Sequence, residues 1–486
     1  MAHLSNRFSL YILIGRLVTM GASFAMPLLL VRCMSQTDYG VFSQFFTLYS
    51  AVYAILALGL HSSLFYFYPS ASAADRDKLV SNTFMILIVL GIIGCGIMYC
   101  PPIANAIFGN SVLGQYKVWI LLSIAFATPM NIVSPLNTVR ADKWGAMLIP
   151  GFVAILRIIT VIACTLLFSD MNTLFKWLLF FQVFILGIVG LYTSRGVKLR
   201  IDWPLLKQQL VYSLPFGFAV ALQLFSNYFD KFVCIKFLSP DDYAVYGVAF
   251  LSIPGVTQVY DSLCQVNIVN MSKSFREGRI NEIAPQYGNF VVKTLSFSTP
   301  LILSVSVFAE EIMSFLYTDN YVAAAPYFRL YSLTFLTSMF GAGTVLRSMG
   351  KTKQSFNAFA FTCAIGLPAT YFLVMNYGTK GAIYGAMINM MLPRLVQMVM
   401  ESKSLNISII AFLPWRKIGA IALGAIIFML PVLLLKTLLS LSFLLVVVIC
   451  TLYILCTYWF YARNNVFIMR EDDIKKLIKM AKNHNK

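Results

Sequence analysis

The chain has 486 residues, 59% of them hydrophobic and 12% charged, with a formal net charge of +18 and a mean hydropathy of +0.78. Soluble domains carry about 25% charged residues, so this composition excludes an ordinary soluble domain. The basic surplus reads as membrane topology and not as a nucleic-acid surface.

A hydrocarbon core about 30 Å thick is crossed by roughly 20 apolar residues as a helix. Runs of that kind lie at about 8–31, 41–65, 80–100, 116–139, 146–168, 173–193, 209–235, 243–270, 290–317, 326–346, 355–376, 381–400, 418–436 and 441–462. The predicted class is an all-α integral membrane protein of about 14 transmembrane helices. With a cytoplasmic N-terminus, 25 Lys and Arg fall in inside loops and the tail and six in outside loops. That asymmetry is what the positive-inside rule expects for an even number of spans with both termini in the cytoplasm. The first run is too long for the apolar core of a signal peptide and lacks a cleavage site, so no cleaved leader is expected. Nine cysteines, mostly inside apolar runs, show neither disulfide nor metal-ligand spacing and read as packing residues.

The first span carries Arg16, Thr19 and Ser23 on one face and ends in Ser35-Gln-Thr-Asp38-Tyr39. That corner recurs 204 positions later as Ser239-Pro-Asp-Asp242-Tyr243. Arg157 lies about ten residues into the fifth span, roughly 15 Å deep at 1.5 Å per residue, which is too deep for easy snorkelling. The seventh span presents Gln223, Asn227 and Asp230 at i, i+4 and i+7, and the eighth repeats the pattern with Gln258, Asp261 and Gln265. Both spacings set a polar stripe on one helix face. A second echo joins Thr138-Val-Arg140 to Thr344-Val-Leu-Arg347.

Self-similarity at a fixed offset indicates two related halves. The expected organisation is a six-helix lobe at 1–193, a basic cytoplasmic linker at 194–208, a second six-helix lobe at 209–400, two further spans within 401–462 and a basic tail at 463–486. Six spans per repeat give parallel lobes with the substrate path between them. The tail lysines could also meet anionic lipid or a partner.

An ionisable residue in a span costs roughly 2.5 kcal/mol or more at the helix centre. Two readings of the buried polar groups stand side by side: they line a shared wet cavity, or they hold the bundle together through interhelical bonds. Arg16 and Arg157 would make such a cavity cationic and suited to a phosphate or pyrophosphate; alternatively Arg157 pairs internally with an acid such as Asp261. Asp230 and Asp261, with the amides on their stripes, are the cavity-lining or ion-coupling candidates. No nucleotide-binding, metal or nucleophile motif is present, so neither catalysis nor a cofactor is expected.

The segment Arg32–Phe42 with Leu58-Gly-Leu-His61-Ser-Ser-Leu64 resembles the opening of Wzx-type polysaccharide and O-antigen flippases of the multidrug/oligosaccharidyl-lipid/polysaccharide exporter superfamily. Asn227-Tyr-Phe-Asp230-Lys231, leading through Phe237-Leu-Ser239 to Tyr243 and Tyr246, is similar to that family's second-half motif, and Thr344–Lys353 also fits. The resemblance implies two lobes in a V around a central cavity, working by alternating access on an undecaprenyl-pyrophosphate-linked oligosaccharide at the bacterial inner membrane. It implies Arg16 and Arg157 as pyrophosphate-holding residues, membrane lipids and a coupling ion (H⁺ or Na⁺) as partners, and association with a polysaccharide polymerase complex. The aromatic Phe65-Tyr-Phe-Tyr68 stands where relatives often carry a basic residue. Two other functions compete: a multidrug/sodium or proton antiporter of the related branch, and a membrane-embedded polysaccharide polymerase or ligase.

Overall fold

The computed structural model describes residues 6–69, 71–109, 111–168, 170–194, 200–251, 253, 256–341, 343–438 and 442–464. Side chains at a few further helical positions, that of Arg16 included, lie outside the described residues, as do most of the basic tail and residues 195–199 of the linker. The described residues are helices and short connections with no strand among them. Nine helical stretches among them are long and apolar enough to cross a membrane, and Leu17–Cys33 is a shorter apolar one. Helices meet this need because each backbone N–H and C=O is bonded within its own segment. The stretch Thr352–Ser404 bends at Gly378, whose φ of +55° is a conformation that favours glycine.

The chain divides into two compact units, residues 1–244 and 245–486. In the first, the helix Asn6–Cys33 packs along Lys143–Leu167. Pro150 removes the donor that Ala146 O would have used inside the helix. Gly15 approaches that same carbonyl so closely that an added Cβ would lie 2.6 Å from it. The core beneath gathers Leu79, Phe84, Leu136, Phe181 and Ile185.

The helix Trp203–Phe237, expected to open the second lobe, packs within the first unit. Buried Gln209 donates to Ser63 Oγ at 3.1 Å and Thr83 Oγ1 at 3.0 Å. Its N-cap Asp202 exchanges bonds with Asn82, whose Oδ1 accepts from Asp202 N at 2.9 Å and whose Nδ2 donates to Asp202 O at 3.1 Å. The Leu205 amide and the Lys78 ammonium hold the Asp202 carboxyl below the usual carboxylate range. At the other end, the repeated corners touch: Thr37 donates to Asp241 Oδ1 at 2.8 Å, and a Cβ on Gly40 would fall 1.9 Å from Pro240 O.

The expected single span 41–65 divides in two. Its helix stops at Leu56, and Leu58 and Gly59 take φ of +44° and +61°. Successive left-handed residues cannot continue a right-handed helix, so the chain turns there and His61 enters a short 3₁₀ segment, Leu60–Ser62.

The second unit is built on the helix Ile283–Val307. Its core includes Tyr287, Phe290, Met339, Phe412 and Tyr461, with the Tyr287 and Phe412 rings stacked 4.6 Å apart. The last two helices, Trp415–Leu438 and Phe443–Arg463, are joined by tyrosine hydroxyls. Tyr453 donates to Ala425 O at 3.1 Å and Tyr461 to Ile421 O at 2.6 Å. Tyr458 ties the pair to Phe297 O at 2.7 Å, and Lys436 meets Glu311 at 2.9 Å. Glu401, fully buried, accepts from Val345 N at 2.7 Å and so caps the helix Thr344–Ser348.

Candidate functional site: an arginine-bearing cavity

Arg157 is fixed by the helix Lys143–Leu167, which starts at the N-cap Asp142, whose side chain accepts from Gly145 N. About four turns on, the guanidinium enters an aromatic enclosure. Its centre lies 5.7 Å from the Phe46 ring, 5.6 Å from Tyr49 and 5.9 Å from Phe181. Each such contact contributes on the order of 0.5–2 kcal/mol, more as water is excluded. Tyr49 is itself held, its hydroxyl donating to the buried Gln182 Oε1 at 2.9 Å. Among the described residues of this unit no carboxylate forms an ion pair with Arg157. The rings orient the cation but leave its charge unneutralised.

That charge faces a cavity of 590 Å³. Thr19 and Ser23 of the first helix, Tyr49 and Tyr53 of the second, His61 and Phe65 of the turn that follows, and Asn131 and Ser134 line it with Arg157. No lining residue is acidic. A second, smaller cavity of 90 Å³ touches Arg157 on the Ser23, Pro27 and Tyr39 side. A guanidinium offers five donors in a planar fork that matches carboxylate and phosphate oxygens, so the arrangement is chemically an anion site in an apolar surround.

The other sequence candidates fall as follows. The Arg16 backbone is helical, while its side chain lies outside the described residues; its stripe neighbours Thr19 and Ser23 reach the cavity of Arg157. Gln223 and Asn227 are exposed on the helix Trp203–Phe237, whereas Asp230 is buried with Lys231 Nζ at 3.4 Å. In the second unit Gln258, Asp261 and Gln265 are all exposed on the helix Val256–Arg276. Sequence reasoning missed Tyr49, Tyr53, His61 and Asn131. The signal for the first two was present: Phe42, Phe46, Tyr49 and Tyr53 recur at i, i+4, i+7 and i+11, a continuous aromatic face.

A cation in a cavity walled by apolar helices, in a chain with nine described stretches able to cross a membrane, is the setting of a membrane-embedded binding site. Residues 29–326, more than half the chain, match the family described as polysaccharide biosynthesis protein, and the chain belongs to that family. No curated protein matches it in sequence. Among solved structures it is similar to the lipid II flippase MurJ in an inward closed conformation, at 16% identity and a TM-score of 0.68, covering 94% of this chain and 99% of that one. An inward-facing multidrug resistance MATE family transporter of the MOP superfamily matches at 13% identity and a TM-score of 0.61, over 81% of this chain and 98% of that chain. A MOP superfamily transporter from Pyrococcus furiosus, titled for the reversed polarity of its binding pocket, matches at 14% identity and a TM-score of 0.50, over 82% and 95%. The fold is therefore that of MOP superfamily flippases and transporters, and the neighbours are not enzymes.

Proposed function

We propose that the protein is a flippase that moves undecaprenyl-pyrophosphate-linked oligosaccharide units across the bacterial inner membrane by alternating access, in the synthesis of O-antigen, capsule or exopolysaccharide. The carrying observation is Arg157, a cation oriented by three aromatic rings and open to an acid-free cavity of 590 Å³. An uncompensated charge at that depth is costly unless an incoming anion completes it. The family and the lipid-handling MurJ-like fold support a lipid-linked diphosphate as that anion. In this reading Arg16 shares the charge, Asp230 and Asp261 with their flanking amides respond to a coupling cation such as H⁺ or Na⁺, and both termini face the cytoplasm. The product side delivers to a polymerase complex. Work comes from a gradient or from the substrate itself.

The test is complementation of a strain lacking the gene. Arg157→Ala and Arg16→Ala are expected to abolish surface polysaccharide while membrane levels of the protein, followed by immunoblot, stay normal. Wild-type polymer in both variants rules the cationic-cavity reading out.

A further inference from the structure

The cavity beside Arg157 is far larger than a diphosphate requires. At 590 Å³ it lies within the roughly 300–1,000 Å³ of sites that enclose drug-sized ligands, yet Arg157 is the one Lys, Arg, Asp or Glu that lines it. Away from Arg157 part of the lining is apolar, with Met130, Val133, Ile149 and Val153 among it, and the rest is of two kinds. Tyr53 and Phe65 present rings, and Phe65 is 48% exposed. His61, Asn131 and Ser134 present neutral hydrogen-bonding groups.

The bonds already made in the protein show which of these atoms remain available. Asn131 Nδ2 donates to Thr128 O at 2.8 Å and to Tyr53 O at 3.2 Å. Its donors are occupied, so Oδ1 is the atom left to accept from a ligand. His61 Nδ1 is sealed from the cavity with no hydrogen-bond partner among the described residues, so this residue meets a ligand through the rest of its ring. An alkyl chain would meet the aliphatic part of the wall but leave the Asn131 oxygen unsatisfied, and an amine would find no carboxylate. A sugar suits the Asn131 oxygen and the rings together. Its hydroxyls both donate and accept, and its C–H face lies against the negative face of an aromatic ring.

We infer that Tyr53, His61, Phe65 and Asn131 form a subsite for neutral sugar rings attached to the anionic group held at Arg157. This rests on the reading of Arg157 as the anion-binding residue and adds to it which part of the ligand the rest of the cavity recognises. The aromatic segment beginning at Phe65 then supplies a stacking surface in place of a second charge.

The full-length protein in nanodiscs is titrated with undecaprenyl diphosphate, with the same lipid carrying one N-acetylglucosamine, and with UDP-N-acetylglucosamine. Wild type should bind the sugar-bearing lipid about tenfold more tightly than the bare lipid, and the nucleotide sugar more weakly than either. Phe65→Leu and Asn131→Ala should each erase most of that preference while leaving bare-lipid affinity unchanged, which also reports intact folding. Phe65→Trp should keep the preference. Equal wild-type affinity for the two lipids, or a full preference surviving in both Phe65→Leu and Asn131→Ala, overturns the subsite. Nucleotide sugar bound as tightly as the lipid overturns its lipid-linked source. Arg157→Ala separates the two readings: it should weaken both lipids alike, and bare-lipid affinity at the wild-type level sinks the anion reading whatever the sugar preference does.

Discussion

Two helices occupy equivalent places in the repeat and carry different chemistry. Thr138 and Thr344 open the matching loops 206 positions apart, and the same offset carries Arg157 of Lys143–Leu167 to Cys363 of Thr352–Ser404. One is a guanidinium enclosed by three rings; the other is a half-buried thiol. By contrast the corners hardly differ. Ser35 donates to Asp38 Oδ2 at 2.7 Å and accepts from Asp38 N at 3.1 Å, and Ser239 makes the same two bonds to Asp242 at the same two lengths. Both halves thus keep the residues that turn the chain, where backbone donors must be capped, and they differ where a charge enters the bilayer. Function is to be sought in the difference.

The largest effect should follow from altering that charge. Arg157→Lys keeps the positive charge but loses the planar fork and its ring contacts. Polymer export in complemented cells is expected to fall about tenfold, against complete loss for Arg157→Ala. Moving the cation to the other half, in the double variant Arg157→Ala/Cys363→Arg, should restore nothing, because the Phe46, Tyr49 and Phe181 enclosure that orients the guanidinium surrounds residue 157. Recovery of export in the double variant would mean that the halves are interchangeable and that the asymmetry carries no function.

The membrane class and the two corners were legible in the sequence because both rest on local rules, charge placement between spans and Ser-x-x-Asp capping. The cavity was only partly so. Arg157 announces itself, since a deep charge demands a reason. Its enclosure does not: the face Phe42, Phe46, Tyr49 and Tyr53 has the same periodicity as any buried helix face, and only the packing of Lys143–Leu167 and Met171–Ser194 against it creates a cation site. His61 falls inside the apolar run expected to be one span at 41–65. The left-handed pair Leu58 and Gly59 ends that helix early and brings the imidazole to the cavity, and nothing in hydropathy marks such a turn. Nor did the spacing of the repeat reveal that Trp203–Phe237 would dock on the first unit. That depends on long-range bonds such as those of Gln209.

A smaller effect is expected where the repeated corners meet. Gly40 faces Pro240 so closely that even a methyl group would overlap its carbonyl oxygen, and Val adds two more carbons. Gly40→Val should therefore force the corners apart and break the Thr37–Asp241 bond. The measurement is disulfide formation between Thr37→Cys and Asp241→Cys under mild oxidant, which requires Cβ atoms about 3.5–4.5 Å apart. The pair should cross-link readily with Gly40 in place and several-fold more slowly with Val. Equal rates would show that the contact is not sensitive to volume at this glycine.

The smallest effect tests the sameness of the corners. An N-cap serine satisfies one backbone donor that the helix leaves open, and its loss costs about 1 kcal/mol. Ser35→Ala and Ser239→Ala remove the same pair of bonds, so each should lower stability in detergent by about that amount, with the two values agreeing to roughly 0.5 kcal/mol. A cost confined to one corner would indicate that its twin is held chiefly by tertiary contacts, such as those of Gly40 with Pro240, and that equal bond lengths conceal unequal roles.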